Sequence, residues 1–552
     1  MLEKKFLKNL EELASIGEVV SGSFKEKIIV ERLRKKFEEY ADEITIHSIP
    51  VVLWEERFSK IIIKNAFSSK EVSAIALPYS TSSHIKGKLI HVKNFGFTKA
   101  RNVEGKIVLA EWAKNPDEAE HQYLEALEQG ALALLLYDRF PSRFRRIVVK
   151  GTYGYSFKTC SYTPIPALSL TREDGIKLAK LASRSSVEVE IIVETKINES
   201  LGLNFEAIFN GKYDEEKVYV TAHHDHWLTG VSDNLLGLCF LTHLAKKLKR
   251  SNLKREVRFL SFTAEEGSGP GSTEWYWLYG SRWYVENIVL KRNMSEEIYA
   301  VFNWDAVGKG RLVISASGAA YRRLIRKIVG GNVKVEYDSS YFDSYSFSKK
   351  GVPAATINTM NDLADIYHTN VDVLENLDVN TIKESLEISK HIIESLVESK
   401  VNMKLKYEME FLRRTLRKIG YVNAKGVHMS PREVIMLYKP IHRGNYREEY
   451  NPFETYFIPE ITIPYKYLKL LLKLSFSIKI GDKRKALKII SKIPSEVMIP
   501  GEEKAIPIAP VRTIKALIRN EMYSEALAVI DSSIALLRKN IGKGVRETIV
   551  KR

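Results

Sequence analysis

The spacing of apolar positions changes character several times along the chain. Met1–Ala14 carries charges throughout and reads as an amphipathic helix, and Glu26–Tyr40 repeats the helical spacing. Glu43–Val52 alternates and predicts a strand. From about residue 56 short strands and turns take over. Gly105–Leu109 predicts a strand, Asp117–Gln129 a helix that ends at Gly130, and Ala131–Tyr137 a buried strand. Pro164–Leu168 then precedes a helix at Thr171–Ala182. Beyond about residue 200 apolar strands alternate with helices. The strands are Lys217–Ala222, Glu256–Phe262, Ile298–Phe302, Arg311–Ser315 and Ala354–Ile357, with a helix at Leu235–Leu248. This alternation predicts an α/β sheet with helices on both faces. From Asn380 helical patterns dominate, including amphipathic helices at Asp482–Ile493 and Glu521–Arg538. No internal repeat and no low-complexity segment stands out.

A chain of 552 residues is too long for one core and suits about three domains. The expected division is 1–55, 56–200, 201–400 and 401–552, the first segment completing the third. No 18-residue apolar run exists to span a membrane. Met1–Ala14 lacks the uninterrupted apolar stretch of a secretory signal. Two cysteines, Cys160 and Cys239, are too few for a disulfide framework. These features together predict a cytoplasmic protein with no membrane contact. The net charge of +17 is unevenly spread, because residues 401–552 hold 30 Lys and Arg against 15 Asp and Glu. Both a solvated basic surface and a patch for anionic partners fit that balance. Arg413, Arg414 and Arg417 lie near Tyr407, but no nucleic-acid motif accompanies them.

Candidate chemistry sits behind the apolar strands, where α/β proteins place their sites. The first group is His223-His224-Asp225-His226-Trp227. On an extended strand end His223 and Asp225 point the same way, so Asp225 can hydrogen-bond the second ring nitrogen of a metal-binding His223. Asp233 follows just before a helix. Glu265 and Glu266 end the next strand, pointing to opposite sides, so one can bind metal while the other faces the water to be activated. Asp305 follows a third strand, and His368 sits in a loop after Tyr367. Any one of these is more often a surface pair or a solvated face. Their order is what carries the signal. Asp233, Glu266 and Asp305 crowded together repel unless cations intervene, and two divalent ions answer their charge. Imidazole and carboxylate donors suit zinc, with cobalt or manganese as substitutes. No HExxH helix is present, which excludes the zincin arrangement.

The ordered set resembles the zinc-exopeptidase family of aminopeptidases, glutamate carboxypeptidase and the transferrin receptor, over roughly residues 1–400. The resemblance implies that His223 and Asp305 hold one zinc ion, Glu266 and His368 the other, and that Asp233 bridges them. It implies Glu265 as general base, Asp225 as the partner of His223, and Tyr367 as an oxyanion donor. The spacing from His223 to Asp233, and Gly271-Ser272-Thr273-Glu274-Trp275, resemble the glutamate-carboxypeptidase branch. Residues 56–200 resemble a protease-associated domain inserted in the peptidase. The region after 400 holds the place of that branch's helical dimerisation domain, which implies a homodimer.

Two departures stand out. His226 replaces the usual Ser, and Trp277 replaces an acidic ligand of a calcium site that Glu274 can join in that branch. The expectation is a mixed-sheet zinc-exopeptidase domain with an inserted β-rich domain and a C-terminal helical domain. It hydrolyses terminal peptide bonds as an aminopeptidase or carboxypeptidase. A glutaminyl-cyclase-like acyltransferase and a receptor-like protein without catalysis are the alternatives. Against the second stands the complete ligand set with its base.

Overall fold

A computed structural model describes residues 3–398 and 459–550, apart from 65–68, 97–101, 150–164, 250–252, 271–276, 293, 295–296, 318, 332, 351 and 499–504. Cys160, the Gly271–Trp275 motif and the Arg413–Arg417 cluster with Tyr407 therefore lie outside the described residues.

The chain opens with helices α1 (Lys4–Ala14) and α2 (Phe24–Phe37). Ser23 caps α2 by accepting the Glu26 N–H at 3.2 Å, and the Glu26 carboxylate takes the Gly22 N–H at 2.6 Å. Next come strands β1 (Glu43–Lys64), β2 (Ser69–Ser73), β3 (Ile75–Ala76), β4 (Ser83–His91) and β5 (Ile107–Glu111). Helix α3 (Ala119–Glu128), β6 (Ala133–Tyr137), β7 (Ala167–Leu170), helix α4 (Arg172–Arg184) and β8 (Glu188–Phe209) follow. The alternating part is β9 (Tyr213–His223), α5 (Leu236–Leu248), β10 (Arg255–Phe262), α6 (Tyr279–Tyr284), β11 (Ile298–Trp304), β12 (Val313–Ala316), α7 (Ala319–Val329), β13 (Lys334–Tyr337), α8 (Ser344–Ser348), β14 (Ala354–Asn358) and α9 (Val379–Glu398).

Fourteen strands join in one sheet whose main path runs β13-β12-β14-β11-β9-β10-β8-β4-β5-β6-β7-β3. β10, β9, β11 and β14 are mutually parallel, while β8 and β12 flank them antiparallel, so the sheet is mixed. β1 and β8 pair antiparallel from Glu43–Ile208 to Lys64–Glu188. This ribbon links the catalytic-side strands to a second lobe built on β4 to β7, and the expected boundaries at 55/56 and 200/201 fall inside its strands. Apolar side chains of α1, α2, α5, α7 and α9 form the core on one face of the sheet. Tyr284, Val285, Ile288 and Phe347 cover the other face. The parallel strands therefore end together at one edge, with Phe262 beside His223 in register.

The C-terminal part contains α10 (Pro459–Lys479), α11 (Lys483–Ile490), the hairpin β15 (Glu496–Met498) and β16 (Ala505–Pro507), α12 (Val511–Arg519) and α13 (Tyr523–Val550). These helices pack on one another around a core of their own. The core reveals an internal repeat that the sequence pattern hides. Leu474, Ile478, Ala486 and Ile490 of the first helix pair recur as Ile514, Ile518, Ala526 and Ile530 of the second, all buried. Both pairs turn on a left-handed residue, Gly481 (φ 74°) and Glu521 (φ 62°). Leu487 recurs as Leu527 at the same spacing, while most of the solvent-facing residues between these positions differ, which masks the duplication.

Candidate metal centre

His223 closes β9, and its Nδ1 donates to the main-chain carbonyl of Asp225 at 2.9 Å. That leaves Nε2 facing Asp233 Oδ1 at 3.1 Å and Asp305 Oδ1 at 3.3 Å. The expected bond from His223 to the Asp225 carboxylate is replaced by this carbonyl contact, and the carboxylate oxygen stays 3.9 Å from Nδ1. The strand ends at His223, so the two-residue alternation that would have aligned the two side chains no longer applies. The Asp225 carboxylate instead accepts the main-chain N–H groups of Glu265 and Glu266, both at 3.1 Å, and the Ser21 hydroxyl at 2.9 Å. It holds the turn that presents the glutamate pair.

His368 is fixed in the same manner from elsewhere in the chain. Its Nδ1 donates to the Arg146 carbonyl at 3.1 Å, and its Nε2 faces Asp233 Oδ2 at 3.2 Å and Glu266 Oε1 at 2.5 Å. Asp233 thus offers one oxygen to each imidazole. Glu266 Oε2 accepts the Trp227 indole N–H at 3.1 Å. Two ligand groups result, His223 with Glu265 and Asp305, and Asp233 with Glu266 and His368, each with donor atoms within 4.8 Å of one another. The adjacent glutamates fall in different groups, so each presents an oxygen to its own set of candidate ligands. Ala264, Ala306 and His368 adopt left-handed backbone (φ 48°, 47° and 56°) at the turns that deliver these ligands. Such conformations cost about 1–3 kcal/mol each and persist only where the surroundings enforce them.

The electrostatics call for cations. Burial pushes the carboxyl groups of Glu265, Glu266 and Asp305 up. Burial also opposes charge on His368, yet Glu266 and Asp233 outweigh it and push the imidazole up to about 10. Asp305 Oδ2 and His368 Nε2 are buried without an aligned hydrogen-bond partner. Orphaned donor atoms on a cluster of imidazoles and carboxylates fit divalent ions of the zinc type.

His224 and His226 face away from both groups. His224 lies between Ser261 Oγ (2.8 Å) and Glu26 Oε1 (3.1 Å), and His226 between the carbonyls of His224 and Gly17 (both 3.1 Å). They tie β9 to the N-terminal helices, and burial lowers His226 to about 4. A cleft of about 450 Å³ opens over the ligands. Asp233, Glu265, Glu266 and Asp305 line it, with Trp277, Tyr341, Phe342, Met360 and Tyr367 among the remaining wall. The Tyr367 ring stacks on His368 with centroids 3.7 Å apart. Ser21, Trp227 and Arg146 were missed by sequence reasoning. Trp227 stood inside the first motif, whereas Arg146 acts through a carbonyl that any residue possesses.

A buried carboxylate–imidazole cluster behind parallel strands fits a metal centre, and several known proteins are similar to this chain. Residues 204–393 match the family model of peptidase family M28. A probable leucine aminopeptidase 2 of Aspergillus oryzae is 28% identical over 261 residues, covering 46% of this chain and 49% of its own length. The chain thus spans about half the length of that relative. Carboxypeptidase Q of Xenopus laevis is 23% identical over 365 residues, covering 62% and 75%. Two solved structures share the fold. A zinc aminopeptidase from Bacillus subtilis has a TM-score of 0.56 at 18% identity, over 72% of this chain and 96% of that one. A peptidase M28 precursor from Shewanella amazonensis has a TM-score of 0.60 at 18% identity, over 73% and 95%.

Proposed function

We propose that the protein is a two-zinc exopeptidase that removes N-terminal residues from peptides, with cobalt or manganese able to substitute. His223 and Asp305 would hold one ion and Glu266 and His368 the other, with Asp233 facing both imidazoles. The ions supply Lewis-acid polarisation of the scissile carbonyl and a water of lowered pKa. Glu265, buried at the cleft wall with His223 and Asp305, would act as the general base that accepts a proton from the attacking water and delivers it to the leaving amine. Tyr367 lines the same cleft and donates to the developing oxyanion.

The observation that carries the two-metal reading is the pair of buried ligand groups at the cleft, His223 with Glu265 and Asp305, and Asp233 with Glu266 and His368. The Aspergillus oryzae relative is a probable leucine aminopeptidase 2, which supports cleavage from the N-terminus. Trp277, Phe342 and Met360 favour an apolar first side chain. Two peptides test this reading, Leu-Ala-Ala with an amidated C-terminus and its N-acetylated counterpart with a free C-terminus. Cleavage of only the first is expected; cleavage of only the second makes the protein a carboxypeptidase.

A homodimer through the C-terminal helices belongs to the same proposal. Leu472, Phe476 and Ile480 lie exposed at four-residue intervals on and just after α10, an apolar stripe that a second copy would cover.

A further inference from the structure

The ligand residues are held by different parts of the molecule. His223 is fixed by its own turn, and Glu265 and Asp305 follow sheet strands. His368 comes from a loop and depends on a strap, Arg143–Arg146, contributed by the second lobe between β6 and β7. The strap lies alongside Ala364–Asn370. Arg146 N–H donates to the His368 carbonyl at 3.0 Å, while His368 Nδ1 donates back to the Arg146 carbonyl at 3.1 Å. Phe144 and Asn370 exchange a second reciprocal pair, at 2.7 and 3.3 Å.

Two buried guanidinium groups lock the strap. Arg145, 1% exposed, binds Asp138 at 2.9 Å and donates to the main-chain carbonyls of Ala364 (3.0 Å) and Tyr367. Arg146 pairs with Glu18 at 2.8 Å and Glu56 at 2.7 Å, and donates to the Ala76 carbonyl at 2.7 Å. A planar, always-charged fork suits this bridging, and lysine cannot reproduce it.

We propose that Arg145 is a positioning residue for one of the two metal ions only, the one held by Glu266 and His368. The reasoning rests on the two-zinc reading above. His368 must keep a left-handed backbone (φ 56°) and one ring tautomer at once. Both demands are met by strap hydrogen bonds, and Arg145 holds the carbonyls of Ala364 and Tyr367, the second of them directly before the bend. Without that clamp the imidazole loses its fixed direction. The ion at His223 and Asp305 keeps its ligands, since none of them touches the strap. The second lobe thereby supports the metal site through this strap.

Cobalt titration of metal-free protein, followed by visible absorption, reads the two affinities separately. Arg145→Ala should weaken the second ion at least about 10-fold, the scale set by outer partners of metal ligands, and leave the first within about twofold. Arg145→Lys should recover part of the loss, because it retains the charge beside Asp138. Asn370→Ala removes strap contacts without stranding a buried charge, so it decides the matter if the arginine variant does not fold. It should shift the second ion in the same direction by a smaller factor. Wild-type protein that binds fewer than two ions defeats the two-zinc reading itself. Wild-type protein that binds two, with variants that keep both affinities or lose both equally, overturns the proposal.

Discussion

Glu265 and Glu266 are chemically identical neighbours with separable roles. Glu266 is committed on both oxygens, to His368 and to the Trp227 indole, whereas Glu265 lies with His223 and Asp305 at the cleft wall. Glu265→Gln keeps size and polarity but cannot accept a proton. It should lower kcat by at least about 100-fold with both ions retained, and a near-normal kcat in the metal-loaded variant would remove Glu265 from the mechanism. Asp338 supplies a prediction away from the metals. Burial raises its carboxyl to about 7 even though Ser348 and Ser344 donate to it at 2.6 and 2.8 Å. Its unfolded value is about 4, so the folded state holds the proton more tightly. The resulting stability is fully present below pH about 4 and is lost as pH rises to about 7. The stability difference between Asp338→Asn and wild type should therefore move in the variant's favour from pH 4 to 7 and then level off. A difference independent of pH would show that Asp338 does not titrate in that range.

Elements decide how much of this was legible in the sequence. β9, β10 and β11 end in apolar runs, and His223, Glu265 and Asp305 stand at or just past their ends, so order along the chain already implied proximity. His368 was legible as the last member of that order, though its loop follows no apolar strand directly, and its pairing with Glu266 came only from the resemblance. The length of β1 was not legible. Pro50 and the charged Glu55-Glu56-Arg57 interrupt its alternation, yet β8 pairs with it throughout, with a bulge between Glu56 and Phe58. The start of α2 could have been read from Ser23 and Glu26, a capping-box spacing. The C-terminal helices carry their own core, and Ile518 is fully buried in it. Ile518→Ala should destabilise that unit by about 2–5 kcal/mol, visible as an earlier melting step, while kcat/KM for a short peptide stays unchanged. A proportional loss of activity would mean that this unit supports the catalytic centre directly.

On the scale of the whole molecule, one ribbon and one strap join the second lobe to the metal centre, and a basic helical unit follows. No helix among the described residues is long and apolar enough to cross a membrane. Light scattering should give a dimer, and Phe476→Glu should give a monomer; a wild-type monomer at all concentrations would count against assembly through these helices. The most direct test of the central claim is zinc titration of chelator-stripped protein while release of leucine from a short amidated peptide is followed. The account predicts no release without zinc and full activity as the metal reaches two ions per chain. Undiminished release from the stripped protein, or none at two bound ions per chain, would contradict it.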